Sequence, residues 1–296
     1  MYKSPDGLWE IVVPGSSEDF MKNSLRRFSA EDIQLVEGKP IDYTLDSRLE
    51  RYVEERWNKK VADSIAKGFV APSNGKLVRV SKMPTINDKG KLVLHLGPTN
   101  YREHIATNFH DEDYVRSLSY DQNANVLNAM ALLISADDHL VYSVRGKTAT
   151  GADKLSGFGV ALQHPEKNPH EDILKAGPSY LFEQVRNAIF EETGTSEQKL
   201  DISLRGFAYV KSGFHVPLWI VNSSLEKGKI EEIFKERGIK KTIGASKAPK
   251  YTGMGFVPLN PRGYLEFIKN PQILEWVKPM VFYFGAMRFG LAQLVE

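Results

Sequence analysis

The chain has 296 residues, 42% hydrophobic and 26% charged, so it can bury a sizeable core and has an ordinary globular composition. Its 39 lysines and arginines nearly balance 37 aspartates and glutamates, and a net charge of +2 excludes the uniform basic field that nonspecific nucleic-acid binding requires. The absence of cysteine excludes disulfides, thiolate nucleophiles and thiolate-ligated metals. No apolar run reaches the roughly 18 residues of a membrane span, so we expect a cytoplasmic protein with neither a membrane nor a nucleic acid as partner.

Residues 1–120 predict a β-containing extension. Leu8–Val13 has the β-branched and aromatic content of a strand. From Leu45 to Lys67, apolar residues recur at every fourth position, which predicts a long charged helix with one apolar stripe. Two strands, Lys76–Ser81 and Lys91–Leu96, flank a predicted turn at Asn87–Gly90.

Residues 121–296 predict a second unit that mixes strands and helices, with helices closing its C-terminal end. Its most distinct features are a turn at Asp137-Asp138 and an amphipathic helix over Leu181–Thr193. Gly194 follows this helix and is suited to be its C-terminal cap. Further strands are predicted at Val126–Ser135, His139–Gly146, Ile202–Lys211 and Val216–Val221, and further helices at Lys227–Arg237, Leu265–Trp276 and Pro279–Leu294. The chain is therefore expected to form an α/β (α+β) fold, with the first unit packing on the second.

Two adjacent carboxylates, Glu191 and Glu192, close the Leu181–Thr193 helix. The helix dipole makes acidic groups unfavourable at a C-terminus by about 0.3–1 kcal/mol each, and a bound divalent cation would offset that cost. A pair of solvated glutamates is the alternative.

The run Ala188–Gly194 resembles the end of the Nudix box, G-x5-E-x7-R-E-U-x-E-E-x-G-U, where U is aliphatic. Aligning Gly194 with the final glycine places Ile189 and both glutamates on matching positions, while the box arginine and the glutamate after it fall on Asn187 and Ala188. The resemblance implies an α/β/α sandwich around a mixed sheet and cleavage of a pyrophosphate with Mg²⁺ (or Mn²⁺).

The same resemblance implies roles for three carboxylates. Glu191 and Glu192 would be the catalytic residues and metal ligands, and Glu183 would be a substitute for the ligand lost at Ala188.

A second resemblance lies in Leu96–Asn108, which is similar to the L-G-x-T-x-Y-R-x-x-x-x-T-N segment of the animal UDP-glucose-hydrolysing Nudix proteins. It implies cleavage of a UDP-sugar to UMP and a sugar 1-phosphate. From the residues alone, Tyr101 offers a stacking ring, Arg102 a bidentate phosphate clamp, and Thr107 and Asn108 polar groups for ribose or base. Alternatively, this segment pins the extension to the main sheet, with Arg102 paired to a carboxylate.

Several other polar residues are candidates for the same site. Arg145, at a strand end, is expected to face the phosphates, and Gly157–Gly159 would let the backbone approach a ligand or metal. His215 is either a base or a structural histidine, and His164–Asp172 is interpreted as a solvated loop. Lys247 and Lys250 would meet an anionic substrate from a basic loop.

Three functions follow from these observations. The first is a Nudix-type hydrolase acting on a nucleoside diphosphate-sugar, and the alternative is a catalytically silent protein that binds a nucleotide or nucleotide sugar. A carboxylate cluster at Glu192 would favour the hydrolase. The third is an interaction scaffold, a homodimer through the closing helices, which exposed Phe282, Phe284 and Phe289 would favour.

Overall fold

The computed structural model describes residues 2–4, 7–13, 26–68, 70–108, 113–146, 152–159, 162–164, 169–210, 214–237 and 251–290. Strands and helices are numbered below in chain order.

The centre of the molecule is a mixed eight-stranded sheet. Its strands are β1 (Tyr2–Lys3), β2 (Trp9–Val13), β7 (Ala131–Ile134), β8 (His139–Arg145), β9 (Leu155–Ser156), β11 (Leu200–Val210), β12 (Phe214–Ser223) and β13 (Tyr251–Pro258). They lie in the order β1-β2-β11-β12-β7-β8-β13, with β9 paired to β8. The β12–β7 pair is parallel and the other pairs are antiparallel.

A second, five-stranded sheet is formed by β3 (Ile33–Glu37), β4 (Lys76–Val80), β5 (Thr85–Ile86), β6 (Leu92–Asn100) and β10 (Gln163–His164). Its order is β10-β4-β6-β3, with β5 paired to β6. The predicted turn at Asn87–Gly90 is confirmed between β5 and β6, where the Gly90 amide donates to the Asn87 carbonyl at 2.8 Å.

Eight α-helices connect and cover the sheets in the described part of the chain. They are α1 (Leu49–Ala66), α2 (Tyr101–Asn108), α3 (Asp113–Ser117), α4 (Pro169–Ala176), α5 (Ser179–Thr193), α6 (Lys227–Arg237), α7 (Pro261–Ile268) and α8 (Lys278–Phe289). A helix with the length and hydropathy needed to span a bilayer is absent from the described residues.

The central sheet buries both faces, which makes the molecule a layered α+β structure. Leu132 of β7 packs into a core shared with α7 and α8, while the next residue, Leu133, packs into a core shared with α5 and the second sheet. Successive side chains of a strand point to opposite faces, so a continuous apolar strand signals a sheet covered on both sides. The predicted fold class is confirmed.

The two sheets are not divided at residue 120. Strands β1 and β2 join the central sheet, with Ile11 opposite Ala208, and β10 joins the second sheet, with Gln163 opposite Leu77. Each sheet therefore contains strands from both sides of that position.

The apolar stripe of α1 does not stay against the body. Leu49 and Val53 are buried, whereas Ile65 is 60% exposed. A helix turns about 100° per residue, so each four-residue step drifts by about 40° and Ile65 lies about 160° around from Leu49. Equal spacing therefore predicted the helix correctly but not its burial.

The closing helices form core and not an exposed surface. Phe282 and Phe284 are 7% and 4% exposed, and Phe289 is half-buried against the same apolar cluster. The expectation that these rings form a dimer surface is wrong, because α8 covers one face of the central sheet. The helix predicted at Leu265–Trp276 is instead α7, which begins after the capping side chain of Asn260 and ends at Ile268.

Candidate functional site

The candidate site is built around the C-terminal end of α5. The helix buries Leu181, Val185, Ala188 and Ile189, and leaves Glu183, Asn187 and Glu191 exposed. Gly194 caps it in the left-handed conformation, with φ of 84°, as predicted. Glu192, at the margin of the buried stripe, is half-buried.

Glu192 is held by donors from two other segments. Its Oε2 accepts a hydrogen bond from the Gly159 amide at 2.7 Å and another from the Tyr251 hydroxyl at 2.9 Å. Gly159 has φ of 151°, and a Cβ at that position would lie 2.4 Å from the Ala129 oxygen. A glycine is required there for the close approach of two backbone segments. The predicted backbone approach at Gly157–Gly159 is thus directed to a carboxylate of the protein itself.

Tyr251, which the sequence reasoning missed, begins β13 and is paired in register with Arg145 at the end of β8. Burial raises the pKa of the Tyr251 phenol well above its ordinary value; the charge of Glu192 raises this pKa further and that of Arg145 opposes the rise. The phenol is therefore a protonated donor at neutral pH. Tyr251 has only one other aromatic residue, Phe256, within Tyr251–Phe256, so the segment carried no local signal for this role.

Arg145 is the cation of this site. It is half-buried, and its Nε has no hydrogen-bond partner among the described residues. Its backbone is fixed by the amide of Asp153 and the carbonyl of Lys154. A guanidinium held at a strand end beside the Tyr251 phenol is suited to bind a phosphate oxygen.

The predicted metal ligands are only partly brought together. Glu183 precedes Glu192 by nine residues, which places it about 13.5 Å away along the helix axis and on the opposite face. It does not substitute for the ligand lost at Ala188. Within the described residues, no three His, Asp or Glu side chains are grouped to hold a metal ion.

The segment Leu96–Asn108 is part of the framework. Strand β6 runs to Asn100 and α2 follows at once, with a buried carboxylate, Glu103, at the junction. Glu103 accepts from the Thr99 hydroxyl at 2.6 Å, the Tyr43 hydroxyl at 2.7 Å and the Asn100 amide at 3.1 Å. The Asn100 side chain in turn accepts from the Glu103 amide at 3.0 Å, a reciprocal cap of the helix start. These bonds join α2, β6 and the segment before α1.

Arg102 and Tyr101, expected to bind substrate, contact α1 instead. Arg102 Nη1 donates to Glu54 at 2.7 Å, and its amide donates to Asn74. The ring of Tyr101 packs edge-on against Trp57. The alternative in which Arg102 pairs with a carboxylate and pins the extension agrees with these contacts.

Thr107 and Asn108 face the interior. Their exposed fractions are 0% and 1%, which excludes direct contact with a ligand in this conformation. Thr107 donates to the Glu103 carbonyl and accepts from the Ala124 amide, both at 2.9 Å. The expectation that these residues bind ribose or base is corrected by these partners.

His215 and His170 are both buried and bonded to other parts of the protein. His215 is fully buried, its Nε2 lies 2.7 Å from the Tyr120 hydroxyl, and burial, with help from Arg79, lowers its pKa to about 3. The Nε2 of His170 bonds the Leu96 carbonyl. The interpretation of His164–Asp172 as a solvated loop is therefore wrong at His164, which lies in β10, and from residue 169 onward, where α4 begins. Residues 165–168, Lys247 and Lys250 lie outside the described residues.

Comparison with known proteins assigns no family. No family model matches the chain, and no curated protein matches it. Among solved structures, the chain is similar to DR0079 from Deinococcus radiodurans, with 12% identity and a TM-score of 0.34, over 70% of this chain and 96% of that chain. A likeness this loose carries no argument about what the chain binds or cleaves.

Proposed function

We propose that the chain is a Nudix-type protein that binds a nucleoside diphosphate-sugar at the end of α5 without cleaving it. The observation that carries the proposal is the state of Glu192. Its Oε2 is already bonded to the Gly159 amide and the Tyr251 hydroxyl, and the described residues supply no third carboxylate beside it. A carboxylate fixed in this way holds two segments together, which is a structural task.

Arg145 supports the binding part of the proposal. A guanidinium offers paired donors that match two phosphate oxygens, and Arg145 is half-buried at the end of β8, in register with Tyr251. The diphosphate would therefore lie against Arg145, over the end of β8 and the start of β13. The resemblance at Leu96–Asn108 suggests a uridine nucleotide, although its polar residues act here through the framework.

Hydrolysis with Mg²⁺ or Mn²⁺ is the second candidate, and one observation favours it. Glu191 is exposed beside Glu192 in the last turn of α5, where the helix dipole makes two carboxylates unfavourable and a cation would offset the cost. Mg²⁺ is often held by one or two carboxylates together with substrate phosphates. The expected products are UMP and a sugar 1-phosphate.

Phosphorus NMR and calorimetry with UDP-glucose, each with and without Mg²⁺, distinguish the two candidates. Unchanged UDP-glucose with metal-independent binding, lost in Arg145→Met, is the expected result. Release of UMP and sugar 1-phosphate, abolished in Glu192→Gln but retained in the matched control Glu183→Gln, would replace binding by hydrolysis. Absence of both binding and turnover for UDP-glucose and other nucleotide sugars would refute both functions.

A further inference from the structure

Asn74 differs from every other asparagine of the chain in the residue that follows it. That residue is Gly75, and no other asparagine in the sequence is followed by glycine. A side chain on the following residue hinders the approach of its main-chain nitrogen to the asparagine Cγ, and glycine has no such side chain. Asn74 is therefore the asparagine best placed by sequence to react with its own main chain.

The fold leaves Asn74 accessible. Residues 70–75 connect α1 to β4 and belong to neither a helix nor a strand. Within this connection, Ser73 and Asn74 are both exposed. Water and hydroxide can therefore reach the Asn74 side chain in the folded protein.

Two hydrogen bonds hold Asn74 and Gly75 against the first turn of α2. The Arg102 amide donates to Asn74 Oδ1 at 2.8 Å, and the Tyr101 amide donates to the Gly75 carbonyl at 2.9 Å. The side-chain oxygen of Asn74 thus faces the positive end of the α2 dipole.

This arrangement favours attack of the Gly75 nitrogen on Asn74 Cγ. Negative charge develops on Oδ1 as the new bond forms, and the Arg102 amide already donates to that oxygen. A donor directed at the atom that gains charge stabilises the transition state, as in an oxyanion hole.

We propose that Asn74 deamidates spontaneously in the folded protein, promoted by the first turn of α2. The Gly75 nitrogen bonds to Asn74 Cγ, the Cγ–Nδ2 bond breaks, and Nδ2 leaves as ammonia with the proton of the Gly75 amide. The product is a succinimide, which one water molecule opens. Opening at Cγ gives aspartate, and opening at the main-chain carbonyl gives isoaspartate.

The two products affect the start of α2 differently. Aspartate keeps an oxygen that can accept from the Arg102 amide, and its charge is favourable at a helix N-terminus. Isoaspartate routes the main chain through the side chain of residue 74, which lengthens the backbone by one carbon atom and displaces the acceptor. Either product adds one negative charge to the chain.

Peptide mapping of the full chain by mass spectrometry, during incubation at mildly alkaline pH, tests the proposal. We expect Asn74 to be replaced by aspartate and isoaspartate, with release of ammonia, at least as fast as in the chain unfolded in guanidinium chloride at the same pH. Gly75→Ala should slow this conversion, because its methyl group hinders the attack. The matched control Gly228→Ala, which meets no atom within 4 Å, should not change the rate.

A pair of substitutions at Arg102 tests the role of its amide. Arg102→Pro and Arg102→Ala both remove the side chain, but only proline also removes the N–H that donates to Asn74. Proline is tolerated in the first turn of a helix, and circular dichroism checks that each variant is folded. Deamidation should be slower in Arg102→Pro than in Arg102→Ala.

Two results would overturn the proposal. The first is an Asn74 that stays intact in the folded chain while the unfolded chain deamidates, since the fold would then protect the residue. The second is an equal rate of deamidation in folded Arg102→Pro and Arg102→Ala, since the α2 amide would then have no part in the reaction.

Discussion

Replacing Tyr251 with phenylalanine tests whether Glu192 is an ionised carboxylate held by protein donors. The Tyr251 hydroxyl and the Gly159 amide both donate to Glu192 Oε2, at 2.9 and 2.7 Å. The substitution keeps the ring and its packing but removes one of these donors. Hydrogen bonds to charged groups contribute about 1.5–3 kcal/mol, so we expect the free energy of unfolding to fall by about 2 kcal/mol.

Tyr264→Phe is the matched control. Tyr264 is also fully buried, and its hydroxyl donates to a neutral acceptor, the Val281 carbonyl. Bonds between neutral groups contribute about 0.5–1.5 kcal/mol, so this variant should lose about 1 kcal/mol. The difference between the two variants measures the effect of the charge on Glu192.

Urea unfolding at neutral pH, followed by tryptophan fluorescence, gives the free energy of unfolding of each variant. The comparison holds if the slope of this free energy against urea concentration is the same in every variant. Repeating Tyr251→Phe in a Glu192→Gln background should reduce its cost, because the acceptor is then neutral. Equal losses for the two tyrosines, or a Tyr251→Phe cost unchanged by Glu192→Gln, would refute the proposed role of Glu192.

Three further predictions concern the same structure. Gly159→Ala should lower the free energy of unfolding by at least about 3 kcal/mol, because its Cβ would lie 2.4 Å from main-chain atoms. Gly177 also has a positive φ but faces open space, so Gly177→Ala should lower it by only about 1–2 kcal/mol. Equal losses for the two variants in urea unfolding would contradict this prediction. His215 has a pKa of about 3 in the folded protein and about 6.5 in the unfolded chain. Its neutral form therefore contributes fully to the free energy of unfolding above pH 6.5. As the pH drops from 6.5 toward 3, this contribution falls by up to about 1.4 kcal/mol per pH unit. His215→Gln should therefore flatten the dependence of unfolding on pH, and a profile as steep as the wild type would contradict this. Arg102→Met should leave UDP-glucose affinity unchanged, because Nη1 of Arg102 is engaged in an ion pair with Glu54. Arg145→Met should weaken that affinity at least about tenfold. Calorimetry showing the reverse order would place the phosphate elsewhere.

Short-range chemistry made parts of the fold predictable. Gly194 was predicted as the cap of α5 and has φ of 84°, and the turn predicted at Asp137-Asp138 has Asp138 at φ of 55°. In both cases, a residue tolerant of left-handed backbone stands where the chain must turn, so neighbouring residues decide the outcome.

Strand β13 was not predictable from neighbouring residues, because its two glycines weaken the strand signal. The structure gives the reason for one of them. A Cβ at Gly255 would lie 2.3 Å from the Tyr142 ring, so the glycine makes room for a side chain of β8. Such a requirement arises from tertiary packing and has no local signature.

The polar residues of Leu96–Asn108 were difficult for a different reason. A sequence shows that Thr107 and Asn108 can form hydrogen bonds, but not whether their partners are ligand atoms or protein atoms. Here the partners of Thr107 include the Glu103 carbonyl within α2 and the Ala124 amide, so its hydroxyl joins the end of α2 to the segment that leads to β7. The same ambiguity applied to Glu192, whose partners come from Gly159 and Tyr251.

The pairing of β2 with β11 has a consequence for synthesis on the ribosome. Ile11 is buried opposite Ala208, so its strand has no native neighbour on that side until almost 200 more residues have been added. At about 5–20 residues per second, that interval lasts about 10–40 s. During it, the apolar residues of β2 remain without their native cover, so co-translational chaperones should contact the nascent chain there and release it only after β11 emerges.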